Sequence, residues 1–303
     1  MRRRNSTAQM LIKNFLLLTI VFLFAFGGAA HAIDLWGQLQ KIFQKEGQKQ
    51  AESLDPAFKP AVRALVGFSE EEEIAIGRQA AGNLLGAAPL VNDPKLQQYV
   101  NAVGRWIASR SERPDLKWHF GVIDSNDINA FAAPGGYIFV TKGLYLLLRS
   151  ESELAGVLAH EVGHVVKKHH LHVLQKTSLL EAGKKLFEKA AGENEQIKKL
   201  IGNGAEIFAR SLDKDAEFEA DRIAVVLSAR AGYDAFGLPA VLQDIGHTGN
   251  EGSSVALLFK THPHPDDRLD RLDQAIGNRF DKLKGATLDK RLYRLRPIQA
   301  AKN

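Results

Sequence analysis

Apolar positions along this chain recur at two spacings, and the change from one to the other marks out its elements. Behind Pro94, the residues Leu96, Tyr99, Val100, Val103 and Ile107 fall three and four apart, which predicts a helix with one buried face. Another helix opens at Ser69, where Glu70 to Glu73 place acids at the positive end of its dipole, and extends to about Leu85. That acidic run reads as a solvated helix start rather than a metal cluster. Trp118 to Asp124 alternates as a half-buried strand does. Asn129 to Ala133 follows, Pro134-Gly135-Gly136 marks a turn, and Tyr137 to Thr141 is a short apolar strand. Helical spacing returns at Ser150, with Glu153 as its capping-box partner and Leu154, Val157, Leu158, Val162, Val165 and Val166 behind it. Beyond His170 the chain is polar and helical to Arg210, with a break at Gly192 to Glu195. Ile223, Val226 and Leu227 form the core face of the next helix, which Gly232 caps. Pro265, Asp266 and Asp267 start a last helix that carries Arg268, Leu269 and Leu272. The expected fold is α+β and mainly helical, with a small β-sheet leading directly into the helix at Ser150.

The two ends stand apart from this pattern. Arg2, Arg3 and Arg4 precede a nearly continuous apolar run from Phe15 to Phe26, and Ala30-His31-Ala32 has the small-x-small form of a cleavage site. This is the layout of a secretory signal, cleaved after Ala32. A retained membrane anchor is the alternative, for which the run is short. Ile33 to Val66 reads as a helical lead-in whose stripe of Leu35, Trp36, Leu39, Ile42 and Phe43 packs on the main domain. The expected organisation is a signal peptide over 1–32, a lead-in over 33–68, the main domain over 69–277 and a basic tail over 278–303. Lys282, Lys284, Lys290, Arg291, Arg294 and Arg296 predict a flexible or loosely docked end.

Charge and composition narrow the function classes. The 303 residues carry 40 basic and 35 acidic side chains, a net charge of +5. Loss of Arg2, Arg3, Arg4 and Lys13 with the signal takes the 40 basic residues to 36, against 35 acids, and the net charge to +1. No basic patch argues for nucleic acid. The chain has no cysteine, which excludes disulfides, a thiol nucleophile and a cysteine zinc cage. Any metal must rest on histidine and carboxylate.

His160-Glu161-Val162-Gly163-His164 supplies them, in the H-E-x-x-H pattern. Four residues span a little over one helical turn, so His160 and His164 share a face and can share one ion. Glu161 points about a quarter turn away, placed to address a water rather than to ligate. The third ligand comes from Ala216 to Arg222. Glu217 and Asp221 share a face, with Glu217 as ligand and Asp221 as the acceptor that orients a ligating imidazole. Glu219 lies nearly opposite Glu217, so the two cannot both reach one ion. A pair of surface acids is the alternative. His169, His170 and His172 do not repeat the i, i+4 pairing and lie beside Lys167 and Lys168, so they read as outer-layer or solvated residues rather than ligands. With two histidines and one glutamate, a zinc ion keeps an open position for water, and Glu161 is the candidate general base of a hydrolase.

Together, the pentad and Glu217-x-x-Ala220-Asp221 resemble the gluzincin family of zinc metallopeptidases that includes the CAAX prenyl protease and HtpX-type quality-control proteases. Asn129 to Thr141 resembles the family's segment before the catalytic helix, and Thr261-His262-Pro263 resembles its C-terminal motif. The resemblance covers Ser69 to Gly277. It implies a zincin-type catalytic domain over 69–277 holding one zinc ion per chain. The implied activity is endopeptidase action on unfolded or misassembled envelope proteins. The chain lacks the family's internal membrane helices, and residues 278–303 are too short for the helical-repeat domain of some members. The resemblance is therefore to the exported, soluble branch, with a periplasmic location and peripheral membrane association as expectations. His262 could then reach the zinc, either to hold the transition-state oxyanion or to fill the open position and keep the enzyme latent; a loop histidine bonded to backbone is the alternative. His264 reads as a helix-entry residue, and Arg268 as a partner of a carboxylate or of substrate backbone. The competing class is an exported chaperone or assembly factor with a structural or latent zinc site. An aminopeptidase would need a carboxylate pocket for a free amine, and no motif supplies one. A sheet edge beside the catalytic helix could pair with an extended peptide, against the alternative of a closed structural hairpin.

Overall fold

The computed structural model describes residues 67–177, 212–247, 258 and 262–295. The expected signal, the lead-in up to residue 66, the polar helices over 178–211 and Thr261 lie outside these. The described chain is α+β and mainly helical, with a three-stranded sheet before the helix that carries the pentad.

Helix α1 (Glu70–Ala87) starts with a capping box: Ser69 Oγ accepts the Glu72 N–H and Glu72 Oε2 accepts the Ser69 N–H, both at 3.1 Å. Its acidic start is not wholly solvated. Glu73 is fully buried, pairs with Arg113 at 2.7 Å and accepts the Gly135 N–H at 3.1 Å. A buried carboxylate needs such partners, and these tie α1 to the turn at residues 134–136. Helix α2 (Pro94–Ala108) is capped by Asp93, whose Oδ1 accepts from Lys95 and Leu96 N–H. Leu96, Val100, Val103 and Ile107 form its buried face, as their spacing predicts.

Strands β1 (His119–Ile123), β2 (Ala130–Ala133) and β3 (Tyr137–Thr141) lie in the order β1-β3-β2. β3 runs parallel to β1, with His119 opposite Tyr137, and antiparallel to β2, with Ala133 opposite Tyr137. The Gln97 side chain serves the outer edge of β1, exchanging two 2.9 Å hydrogen bonds with the Val122 backbone. The outer edge of β2 has no strand partner among the described residues.

The sheet does not lead directly into the long helix. A six-residue helix, α3 (Lys142–Leu147), intervenes, capped by the Thr141 side chain. Helix α4 (Glu151–Val166) follows, with Ser150 Oγ accepting the Glu153 N–H. The return bond of the box is displaced by one residue, because the Glu153 carboxylate accepts from Arg149 N at 2.6 Å. Every α4 residue from Glu151 to Val165 is buried. α2, β2 and β3 cover it, together with α5 (Lys214–Arg230) and α6 (Gly237–His247). This enclosure explains why Leu154 to Ala159, between the polar first turn and the pentad, is apolar all round. Helix α7 (Pro265–Ile276), entered through His264 as N-cap, packs on α5 and α6.

The segment beyond α7 is firmly docked through Leu295. Leu292 is buried in the main core. Arg294 donates to the Leu148 and Arg149 carbonyls at 3.0 and 2.8 Å. Arg291 reaches the fully buried Glu151 at 3.1 Å, where Tyr99 and Tyr233 also donate at 2.9 Å each. Among the described residues, no helix is long and apolar enough to cross a membrane.

Candidate metal centre

The two pentad histidines project from one face of α4 into the contact with α5, and both are buried. Gly163 permits a close crossing there, since a Cβ at that position would stand 3.3 Å from Ala220 Cα. That approach brings Glu217 to the histidines. Its Oε2 lies 3.6 Å from His160 Nε2, and its Oε1 lies 3.6 Å from His164 Nε2. The two Nε2 atoms are 3.0 Å apart. His262, on the segment entering α7, places Nδ1 2.6 Å from Glu217 Oε2. One ligand atom from each of His160, His164, Glu217 and His262 lies within 4.8 Å of the others. Glu161 is buried, and the charges acting on it are those of His160, His262, Glu217 and Arg268, which sets it beside the cluster.

A second layer fixes the imidazoles. His160 Nδ1 is 2.9 Å from Asp221 Oδ1. Arg268 grips that carboxylate with both arms, Nε to Oδ2 at 3.0 Å and Nη2 to Oδ1 at 2.5 Å. His164 Nδ1 is 2.8 Å from His169 Nδ1, and His169 Nε2 is 3.1 Å from Glu219 Oε2. His169 is buried despite its lysine neighbours. The chain turns back at Lys168, which adopts a left-handed φ of 55°, so spacing along a straight helix says nothing of where His169 points.

These residues fit a divalent cation. With Nδ1 of each imidazole engaged outward, the Nε2 lone pairs face each other at hydrogen-bond distance, which only a proton or a cation between them relieves. Glu217 Oε1 is buried and has no hydrogen-bond partner among the described residues. The donor set of imidazole nitrogen and carboxylate oxygen suits zinc.

The titration behaviour follows from the same contacts. Burial drives His164 well below its ordinary value. Burial and Arg268 push His160 the same way, but the Asp221 and Glu217 carboxylates outweigh them and raise it to about 9. Burial raises Glu161. Burial would raise Asp221 too, yet Arg268 and His160 hold it down at about 2. Glu217 is likewise held well below the carboxylate range by His262, His164 and His160 against the effect of burial.

The structure thus brings together His160, His164, Glu217, Asp221, Glu161 and His262, and adds Arg268 through its clamp on Asp221. Two groups take places that their positions in the sequence did not suggest. Glu219 has its partner in His169, and Glu73 is internal.

A model of peptidase family M48 matches residues 94–276. Over 244 residues the chain is 30% identical to the beta-barrel assembly-enhancing protease of Yersinia pestis, covering 78% of this chain and 50% of that protein. With the protein of the same name from Escherichia coli K12 it shares 31% over 206 residues, covering 65% and 42%. It is also 30% identical to the mitochondrial metalloendopeptidase OMA1 of Arabidopsis thaliana over 169 residues, covering 55% and 33%. The matches span half or less of these relatives' lengths.

Proposed function

Because the chain belongs to peptidase family M48, we propose that it is a zinc-dependent endopeptidase whose centre is the cluster on α4 and α5. His160, His164 and Glu217 hold one zinc ion per chain, and Asp221 orients the His160 imidazole. A zinc ion bound there supplies Lewis acidity, acidifying a water and polarising the scissile carbonyl. Glu161 takes the proton of the attacking water and passes it to the leaving amine. Its burial favours this exchange, because a carboxylate raised above its ordinary value is a stronger base and returns the proton as a serviceable acid. An extended polypeptide could join the outer edge of β2, which packs on α4 and has no strand partner among the described residues.

The observation that carries this reading is the pair of facing Nε2 atoms, with Glu217 Oε1 beside them and hydrogen-bonded to no described residue. Purified protein carrying Glu161→Gln should keep its zinc and lose turnover of an unfolded polypeptide by about 10² to 10⁴-fold. His160→Ala should lose the metal itself. Proteolysis by a zinc-loaded Gln variant would refute the role of Glu161.

The name of the bacterial relatives supports unfolded or misassembled cell-envelope proteins as substrates. The basic and apolar start of the chain, ending in Ala30-His31-Ala32, supports export to the periplasm.

One observation favours a second reading, an assembly factor whose zinc site is latent. His262 stands with its ring nitrogen against Glu217, where it can act as a fourth protein ligand, and four protein ligands are the mark of closed sites. His262→Ala separates the two. Raised basal proteolysis identifies the imidazole as a plug, whereas a loss of about tenfold or more identifies it as a donor to the oxyanion.

A further inference from the structure

The two ligating imidazoles are held in different ways. His160 donates straight to a carboxylate that Arg268 clamps from behind. Among the described residues, no carboxylate meets the Nδ1 side of His164, which faces His169 instead. Proton accounting fixes the direction of that contact. To present a lone pair at Nε2, a neutral His164 must carry its hydrogen on Nδ1. His169 Nδ1, 2.8 Å away, must then accept, so the hydrogen of His169 sits on Nε2 and is donated to Glu219 Oε2 at 3.1 Å. His169 is not a ligand: it touches the Nδ1 side of His164, away from the cluster, and is absent from the ligand group.

We propose that His169 and Glu219 are positioning residues, forming an imidazole relay that fixes the tautomer and ring orientation of His164 and so sets how tightly the centre holds its metal. The inference rests on His164 being a ligand. The relay joins three stretches of chain: α4, the helical run over 169–177, and α5, which also carries Glu217. α5 therefore acts on the centre twice, through Glu217 from the front and through Glu219 from behind. The inner end is sealed, with His169 buried, while the Glu219 side chain is 42% exposed. Glu219 faces a cavity also lined by His172, Lys176 and Arg222. A substitution at Glu219 thus changes the relay with little disturbance of the core.

Zinc affinity, measured by chelator competition on the full chain, tests this without reference to turnover. Loss of an outer partner of a ligating histidine typically costs about 10 to 100-fold in metal affinity, and His169→Phe should fall in that range. Glu219→Ala should cost about tenfold, and the double variant should be no weaker than His169→Phe alone. His169→Asn keeps an acceptor for His164, while its shorter side chain stops its amide donor short of the place where the imidazole Nε2 meets Glu219. In that background Glu219→Ala should cost nothing. The relay is overturned by parental zinc affinity in folded His169→Phe, or by an equal effect of Glu219→Ala in the parent and Asn backgrounds. Should the parent chain itself fail to bind zinc, or His160→Ala bind it as well as the parent does, the metal reading falls. Parental affinity in the relay variants alone sinks only the relay.

Discussion

At the scale of single residues, the centre is a set of groups whose protons are already arranged for a cation. His164 is neutral at pH 7, because burial holds it well below its ordinary value. His160, raised to about 9 in protein stripped of metal, carries a proton that zinc must displace. The sign follows directly. Below about pH 9 binding releases one proton from this pair, so apparent zinc affinity should rise by up to tenfold per pH unit and level off above that value. Titration calorimetry in buffers of different ionisation enthalpy measures the proton, and a flat affinity between pH 6.5 and about 8.5 would contradict it. Much of this inner set was legible in the sequence. H-E-x-x-H fixes two side chains on one turn, and Glu217 with Asp221 repeats that spacing on a second helix. What was not legible depends on backbone conformation. His169 comes back to His164 only because Lys168 takes a left-handed φ, which nothing about a lysine announces. Glu73 looked like its solvated neighbours because burial depends on what packs above a helix, not on its own residues.

At the scale of elements, periodicity and caps were good guides where a helix has one exposed face, as α2 does. The same spacing runs through α6, where Leu238, Val241, Leu242 and Ile245 are buried, so that helix too was open to reading. The parallel pairing of β1 with β3 was not legible, because strand order depends on which faces the helices cover. The fit between α4 and α6 explains a constraint at Gly156. A Cβ there would stand 2.4 Å from Leu238 N and 2.9 Å from its Cα, against backbone that cannot swing aside. Gly156→Ala should therefore push the two helices apart and cost about 1 to 3 kcal/mol despite the better helix propensity of alanine. The change lies one turn before His160, so thermal melting and zinc affinity should both fall. A melting temperature equal to the parent's would mean that α6 yields freely.

At the scale of the whole molecule, the segment after α7 is part of the framework that aims α4. A basic composition suggested a loose end, but composition does not reveal where arginine stems and backbone acceptors meet. Arg294 donates to the last two carbonyls before Ser150, Tyr145 donates to the Tyr293 carbonyl at 2.6 Å, and Leu292 fills the core. Arg291 reaches Glu151, the first residue of α4, and so adds a positive charge to a carboxylate that two tyrosines already hold. Burial of one leucine contributes about 1.5 to 3 kcal/mol, and each of the hydrogen bonds about 0.5 to 1.5 kcal/mol. Removal of everything after Lys284 should therefore cost about 3 to 6 kcal/mol. At roughly 2 to 4 °C per kcal/mol for a domain of this size, the melting temperature should fall by about 10 °C or more. Leu292→Ala should cost about 2 to 5 kcal/mol alone, reproducing a good part of that loss. Arg291→Ala, with an exposed side chain, should cost far less because exposed ion pairs are weak. The order of these three effects carries the prediction. A truncated protein that melts with the parent would return the segment to the status of a tail, and Glu151 would then be held by its tyrosines alone.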